Sequence, residues 1–174
     1  MVEQGVRVRI MTNSLASNDV SIVYAGYKKY RDTLVEGNVE LYEIKPDKVD
    51  VANDEAKDNQ RTGSSRASLH GKYLGYDLSH IFVGSFNLDA RSFALNTEIG
   101  VLIESPLYAK LLSDNFDQQA IIKGYRLVID DNGDLEWVTR ENGKEIRFDK
   151  APETSFWKRF GTNFMSIFVP EKEL

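Results

Sequence analysis

The chain has 174 residues, 41% of them hydrophobic and 28% charged, with a formal net charge of -5 at pH 7 and no cysteine. This length suits one ordinary domain with a real core and is short for two, and the composition excludes wholesale disorder. The acidic balance argues against a protein that grips nucleic acid through a broad positive field, and without cysteine there is no disulfide framework or thiolate metal site.

Met1-Val2-Glu3-Gln4-Gly5 does not open a signal peptide, and no stretch approaches the roughly 20 apolar residues of a membrane-spanning helix. The abrupt start reads as a chain cut from something longer. Val6-Arg7-Val8-Arg9-Ile10 alternates apolar and charged residues, the period of a half-buried strand, and Thr12-Asn13-Ser14 ends it in a loop. From Asp19 or Val20 to Val35 the spacing of Ile22, Tyr27, Tyr30 and Leu34 predicts an amphipathic helix, capped by Asn18 and stopped at Gly37. Val39 to Ile44 returns to strand. Between Lys45 and Ser68 the chain is polar: a solvated loop, or in a sharper reading a lid over the residues that follow.

Leu69 to Tyr76 and His80 to Phe86 predict two strands joined at Asp77-Leu78-Ser79 as a hairpin, followed by an irregular segment and a strand from Glu98 to Ile103. Ser105-Pro106 begins a helix running to about Gln119, because proline at the first helical position forfeits no bond. Between Tyr125 and Phe148, three alternating runs are separated by Asp131-Asn132-Gly133-Asp134 and Glu141-Asn142-Gly143-Lys144, which predicts a small antiparallel meander. In the last helix, Thr154 to Phe168, Phe156, Trp157, Phe160, Phe164, Ile167 and Phe168 share one face, while Lys158, Arg159, Thr162, Asn163 and Ser166 take the other. That aromatic face packs on the domain or a missing partner domain, or lies on a membrane with Trp157 and the basic pair at headgroup level. The expected fold is α/β: a mixed sheet flanked by helices over residues 1–122, with the meander and terminal helix, 123–174, packed on it or extending it.

Chemistry concentrates in His70-Gly71-Lys72, four residues, Asp77, six residues, then Gly84-Ser85-Phe86-Asn87. Residues two apart on a strand point the same way, so His70 and Lys72 project together, as do Ser85 and Asn87 on the neighbouring strand. Lysine supplies a point charge, serine a hydroxyl donor and asparagine an amide donor, a set that suits the non-bridging oxygens of a phosphate. Gly84 allows close backbone approach. The imidazole beside them can attack phosphorus or carry a proton near neutral pH.

This segment resembles the HKD motif of the phospholipase D superfamily with its following Gly-Ser-x-Asn. Asn13-Ser14-Leu15-Ala16-Ser17, Tyr24-Ala25-Gly26-Tyr27, Leu41-Tyr42-Glu43, Asn87-Leu88-Asp89-Ala90-Arg91-Ser92 and Asn96-Thr97-Glu98-Ile99-Gly100 extend the likeness to the second half of bacterial cardiolipin synthases. Leu135-Glu136-Trp137 and Glu153-Thr154-Ser155-Phe156-Trp157 are similar to the C-terminus of their type C branch. The resemblance implies a two-step phosphatidyl transfer through a phosphohistidine. His70 would be the acid and base, with Lys72, Ser85 and Asn87 holding phosphoryl oxygens and Glu98 orienting a catalytic imidazole. Asp77 would be structural, and Leu78-Ser79-His80 departs from the family, which usually has a glycine soon after that aspartate.

In-line displacement puts nucleophile and leaving group on opposite sides of phosphorus, so two motif copies are needed and this chain holds one. The expected partner is an N-terminal half of the same enzyme carrying the other motif. A self-pairing phosphodiesterase or nuclease and a non-catalytic docking fragment are the alternatives. Phospholipid is the expected substrate, nucleic acid is disfavoured, and the expected location is peripheral, on the cytoplasmic side of the bacterial inner membrane. No cofactor is expected, and lysine beside histidine would repel a metal ion. His80 is read as a loop or strand-edge residue.

Overall fold

The computed structural model describes residues 1–17, 21–46, 69–87 and 90–168, with backbone alone at 21–22, 90–91 and 163–168. The Asn18 cap and almost all of the polar stretch read as a loop or lid lie outside the described residues. After a short 3-10 turn at Val2–Gln4 come β1 (Arg9–Asn13), α1 (Ser21–Glu36), β2 (Glu40–Ile44), β3 (Tyr73–Tyr76), β4 (His80–Gly84) and α2 (Ala90–Ala94). The chain continues through β5 (Gly100–Glu104), α3 (Pro106–Lys123), β6 (Gly124–Ile129), β7 (Leu135–Glu141), β8 (Lys144–Phe148) and α4 (Phe156–Phe168). The α/β reading holds.

Five strands form a mixed sheet in the order β1-β2-β6-β7-β8, in which β1 and β2 run parallel and the other pairs antiparallel. The meander is part of this sheet, because Tyr42 of β2 pairs with Arg126 of β6. Alternation along β2 aims Leu41 and Glu43 at α1 and Tyr42 at α3, where its ring meets Phe116 edge-on at 5.5 Å. The sheet thus lies between α1 and α4 on one side and α3 on the other, with Leu41, Tyr125, Leu127 and Trp137 at the core.

Several boundaries moved for physical reasons. The first strand begins at Arg9, not Val6, although the Glu40 amide still donates to Val8 O at 3.0 Å just before it. It also takes in Thr12 and Asn13, expected in a loop. α1 ends with Asn38, not Gly37, in the left-handed region (φ 58): the Val39 amide donates to Leu34 O and that of Asn38 to Val35 O, both at 3.0 Å, a Schellman closure. α3 begins as expected, with the Ser105 hydroxyl accepting from the Tyr108 amide. It runs on to Lys123 because Ala120 is buried and Ile121 O receives the Thr139 hydroxyl at 2.9 Å.

α4 turns its first three aromatic side chains outward. Phe156, Trp157 and Phe160 are 63%, 76% and 56% exposed, whereas Thr162 is buried against the body of the domain. The expectation that this face packs on the domain is therefore not met at these three residues. No helix among the described residues is long and apolar enough to cross a membrane.

Candidate active site

A second, antiparallel sheet, β3-β4-β5, carries the motif. Its register, Tyr73 opposite Val83 and Tyr76 opposite His80, is carried one step past the strand by the Gly84 amide, which donates to Lys72 O at 3.1 Å. His70 and Lys72 precede β3, so the strand expected from Leu69 starts four residues later. They are nonetheless brought together: Lys72 Nζ lies 3.3 Å from His70 Nδ1, 3.5 Å from Nε2 and 2.9 Å from His70 O. The ammonium is thus fixed against the imidazole, and both groups remain accessible to solvent.

Asn13 holds this entrance in place, a role missed in the sequence. Its side-chain amide donates to Leu69 O at 3.0 Å and its carbonyl accepts from the Leu69 amide at 2.7 Å, tying the first sheet to the residue before His70. An asparagine closing a strand was the available signal, but only the fold shows which backbone it meets.

Ser85 and Asn87 lie beyond the end of β4, which was expected to reach Phe86. Ser85 still follows β5: its amide donates to Ile99 O at 2.9 Å, and its hydroxyl accepts from the Ile99 amide at 3.1 Å. That hydroxyl donates to Glu98 Oε2 at 2.5 Å, and Asn96 donates to Glu98 Oε1 at 3.3 Å. The Ser85 hydroxyl foremost, with Ser92, Asn96 and the charge of Lys72 adding to it, holds the Glu98 carboxyl below the usual carboxylate range. The structure therefore joins His70 to Lys72 and Ser85 to Glu98. Asn87 is exposed, and among the described residues it makes no hydrogen bond to any of these four, nor does Glu98 to His70.

Gly84 permits a close approach, and the neighbours are protein. A Cβ there would stand 2.5 Å from Ile99 O and 2.8 Å from the Gly100 Cα, while one on Gly100 would overlap the Phe82 ring. Phe82 thus fills the space that two glycines leave open across the β4–β5 pair. Asp77 sits at the opposite end of the hairpin from His70. Asp77 and Leu78 both take left-handed conformations, φ 48 and 53, and the Ser79 amide closes the turn on Tyr76 O at 2.9 Å. His80 opens β4 at that same end, with the Ser79 hydroxyl 2.8 Å from its Nδ1. Among the described residues no three His, Asp or Glu side chains gather as a metal site would require.

These features define a three-stranded antiparallel sheet that carries a histidine–lysine pair and a serine–glutamate pair. The chain matches the family described as "Cardiolipin synthase, PLD-like domain" over residues 1–120, and it belongs to that family. It is 44% identical over 171 residues to cardiolipin synthase C of Escherichia coli (strain K12), covering 98% of this chain and 36% of the relative. An uncharacterised protein of Helicobacter pylori (strain J99) is 34% identical over 179 residues, 99% of this chain and 33% of that protein. Cardiolipin synthase B of Escherichia coli (strain K12) is 29% identical over 114 residues, 66% of this chain and 22% of the relative. The chain spans about a third of the length of the first two relatives. No solved structure matches it.

Proposed function

We propose that this chain supplies one side of the phosphoryl-transfer centre of a phosphatidyltransferase that makes cardiolipin by moving a phosphatidyl group between phospholipids. The observation that carries this reading is the Lys72 ammonium held 3.3 Å from the His70 ring at the start of the β3–β4 hairpin, whose far strand leads into Ser85 and its bond to Glu98. In the first step an imidazole on the partner half attacks phosphorus. A P–N bond forms as the P–O bond to the leaving alcohol breaks, and His70 hands that oxygen a proton. In the second step His70 takes a proton from the incoming alcohol, whose oxygen forms a new P–O bond as the P–N bond breaks. Lys72 and Asn87 stabilise the charge that builds on the non-bridging oxygens. Ser85 joins them by turning its hydroxyl from Glu98 toward a bound phosphate, leaving that carboxylate to face an imidazole.

A partner half is supported by an exposed apolar face beside the motif. Ile99 is 80% exposed, Val101 61% and Ile103 42%, alternate positions that share one side of the β5 segment. A surface of this kind marks an interaction site. The partner would be the half of the same enzyme that carries the second histidine motif, and the assembled protein would act peripherally at the cytoplasmic face of the inner membrane. The chain alone, given phosphatidylglycerol vesicles or a chromogenic phosphodiester, should give no turnover above background. His70-dependent turnover by a dimer of this chain would instead establish self-pairing through the same apolar face.

A further inference from the structure

A cleft of about 170 Å³ opens between α1, α4 and the segment joining β8 to α4, and none of its residues belongs to the proposed transfer chemistry. Lys28, Arg31, Lys150 and Arg159 line it, against one carboxylate, Asp149, which already lies 3.4 Å from Lys150. Glu43 beneath the floor and Asp32, 3.0 Å from Arg31, answer part of the Arg31 charge. The cations still outnumber the anions, in a chain whose net charge is -5.

The guanidinium groups are built in. Arg31, with its side chain 7% exposed, donates to the Tyr24 hydroxyl at 3.3 Å and to Asp32 at 3.0 Å, and lies over the Trp137 ring at 5.1 Å. Arg159 donates to the carbonyl oxygen of Thr154 and, at 3.0 Å, to its hydroxyl. Burial foremost, and then the Arg31 charge, disfavour the Lys28 ammonium form, with Asp32 opposing them in part. Two built-in guanidinium groups and two lysines converge on one cleft, an arrangement suited to an anion.

The helix that contributes Arg159 turns its first three aromatic side chains outward. Phe156, Trp157 and Phe160 pack with ring centroids 5.5 to 6.4 Å apart and stay exposed. An apolar ridge flanked by cations complements an anionic lipid surface, with rings at the headgroup boundary and positive groups at the phosphates. The cleft is smaller than the roughly 300–1,000 Å³ of pockets that enclose drug-sized molecules, so it takes a headgroup and leaves the acyl chains outside.

We propose that the chain docks on anionic phospholipid membranes through α4, with a lipid headgroup phosphate seated in the cleft formed by Lys28, Arg31, Lys150 and Arg159. The choice of lipid over a protein occupant rests on the phosphatidyltransferase reading.

The experiment is co-sedimentation of the chain with phosphatidylglycerol or phosphatidylcholine vesicles at matched salt. With about 1 kcal/mol per cation near an anionic surface, Lys150→Gln/Arg159→Gln should bind phosphatidylglycerol roughly 30-fold more weakly and phosphatidylcholine unchanged. Because Arg159 also holds Thr154, Lys28→Gln/Lys150→Gln serves as a second variant with the same expected loss, and melting curves confirm folding of both. Phe156→Ser/Trp157→Ser should weaken binding to both vesicles. Equal phosphatidylglycerol binding by folded wild type and both cation variants overturns the proposal, as does retention by the aromatic variant, which would place the lipid contact on the apolar β5 face. The transfer chemistry is tested separately by turnover of a soluble phosphodiester, on which vesicle sedimentation does not depend.

Discussion

Glu43 is the most demanding residue in the core. Fully buried, it accepts from the Tyr24 hydroxyl at 2.9 Å, the Tyr27 hydroxyl at 3.2 Å and Trp137 Nε1 at 2.9 Å, joining α1 and β7 to β2. Replacing it with leucine orphans the Trp137 N–H and the Tyr27 hydroxyl, leaves the Tyr24 hydroxyl only the bond it accepts from Arg31, and leaves Arg31 with Asp32 alone as its carboxylate. At roughly 1–3 kcal/mol for each buried donor left unpaired, and with Tyr24 still bonded to Arg31, the expected loss is about 3–5 kcal/mol. That is a large part of the roughly 5–15 kcal/mol that holds a domain folded.

Glu43→Gln should cost about 1–2 kcal/mol, because its oxygen can still receive the tyrosines while its amide meets the Trp137 N–H donor to donor. Burial, foremost, pushes the Glu43 carboxyl above its usual range, while Trp137, Arg31 and the tyrosines pull it back. A carboxyl whose folded-state pKa is raised binds its proton more tightly when folded. Its contribution to stability is therefore full below the unfolded value, about 4.3, and falls as pH rises through the folded value. The deficit of Glu43→Gln should accordingly be largest near pH 4 and narrow upward. Urea unfolding followed by tryptophan fluorescence reads both effects. A Glu43→Leu loss below about 1 kcal/mol would refute the buried network as a source of stability.

The hairpin gives three further tests. Leu78→Gly removes a side chain from a left-handed position and should stabilise the chain by about 0.5–1 kcal/mol in urea unfolding; destabilisation would mean the turn is not left-handed there. Gly84→Ala forces a Cβ against the backbone at Ile99 and Gly100 and should cost about 1–3 kcal/mol, so an unchanged melting temperature would contradict the tight β4–β5 approach. Ser85→Ala removes the leading cause of the low Glu98 value, so carbon-detected NMR should show its titration midpoint rise toward the ordinary carboxylate range, and an unmoved midpoint would count against the Ser85–Glu98 bond.

The motif was legible because its spacing encodes a hairpin register: the turn at Asp77-Leu78 fixes which residues face each other, and Lys72 meets Gly84 as a consequence. The meander was legible for a similar reason, since Asn142-Gly143 supplies two left-handed residues, φ 50 and 77, in a two-residue turn. Long-range choices were not legible. Nothing local says that β6 adds to β2, that Asn13 reaches Leu69, or that Glu43 is buried under Trp137. The periodicity of α4 set Phe156, Trp157 and Phe160 apart from Thr162, as found, yet it carries no sign for which side faces inward. There the outcome ran against the usual apolar-in rule: Thr162 is buried, its hydroxyl satisfied within the helix by Lys158 O, while Phe156, Trp157 and Phe160 face out.

The most direct test of the transfer-centre claim is the phosphatidyl-transfer rate of a two-motif enzyme containing this chain, wild type against His70→Ala. Loss of a general acid and base should lower the rate by about 10²–10⁴-fold with folding unchanged. A His70→Ala enzyme that transfers at the wild-type rate would contradict the assignment of His70 to the chemistry.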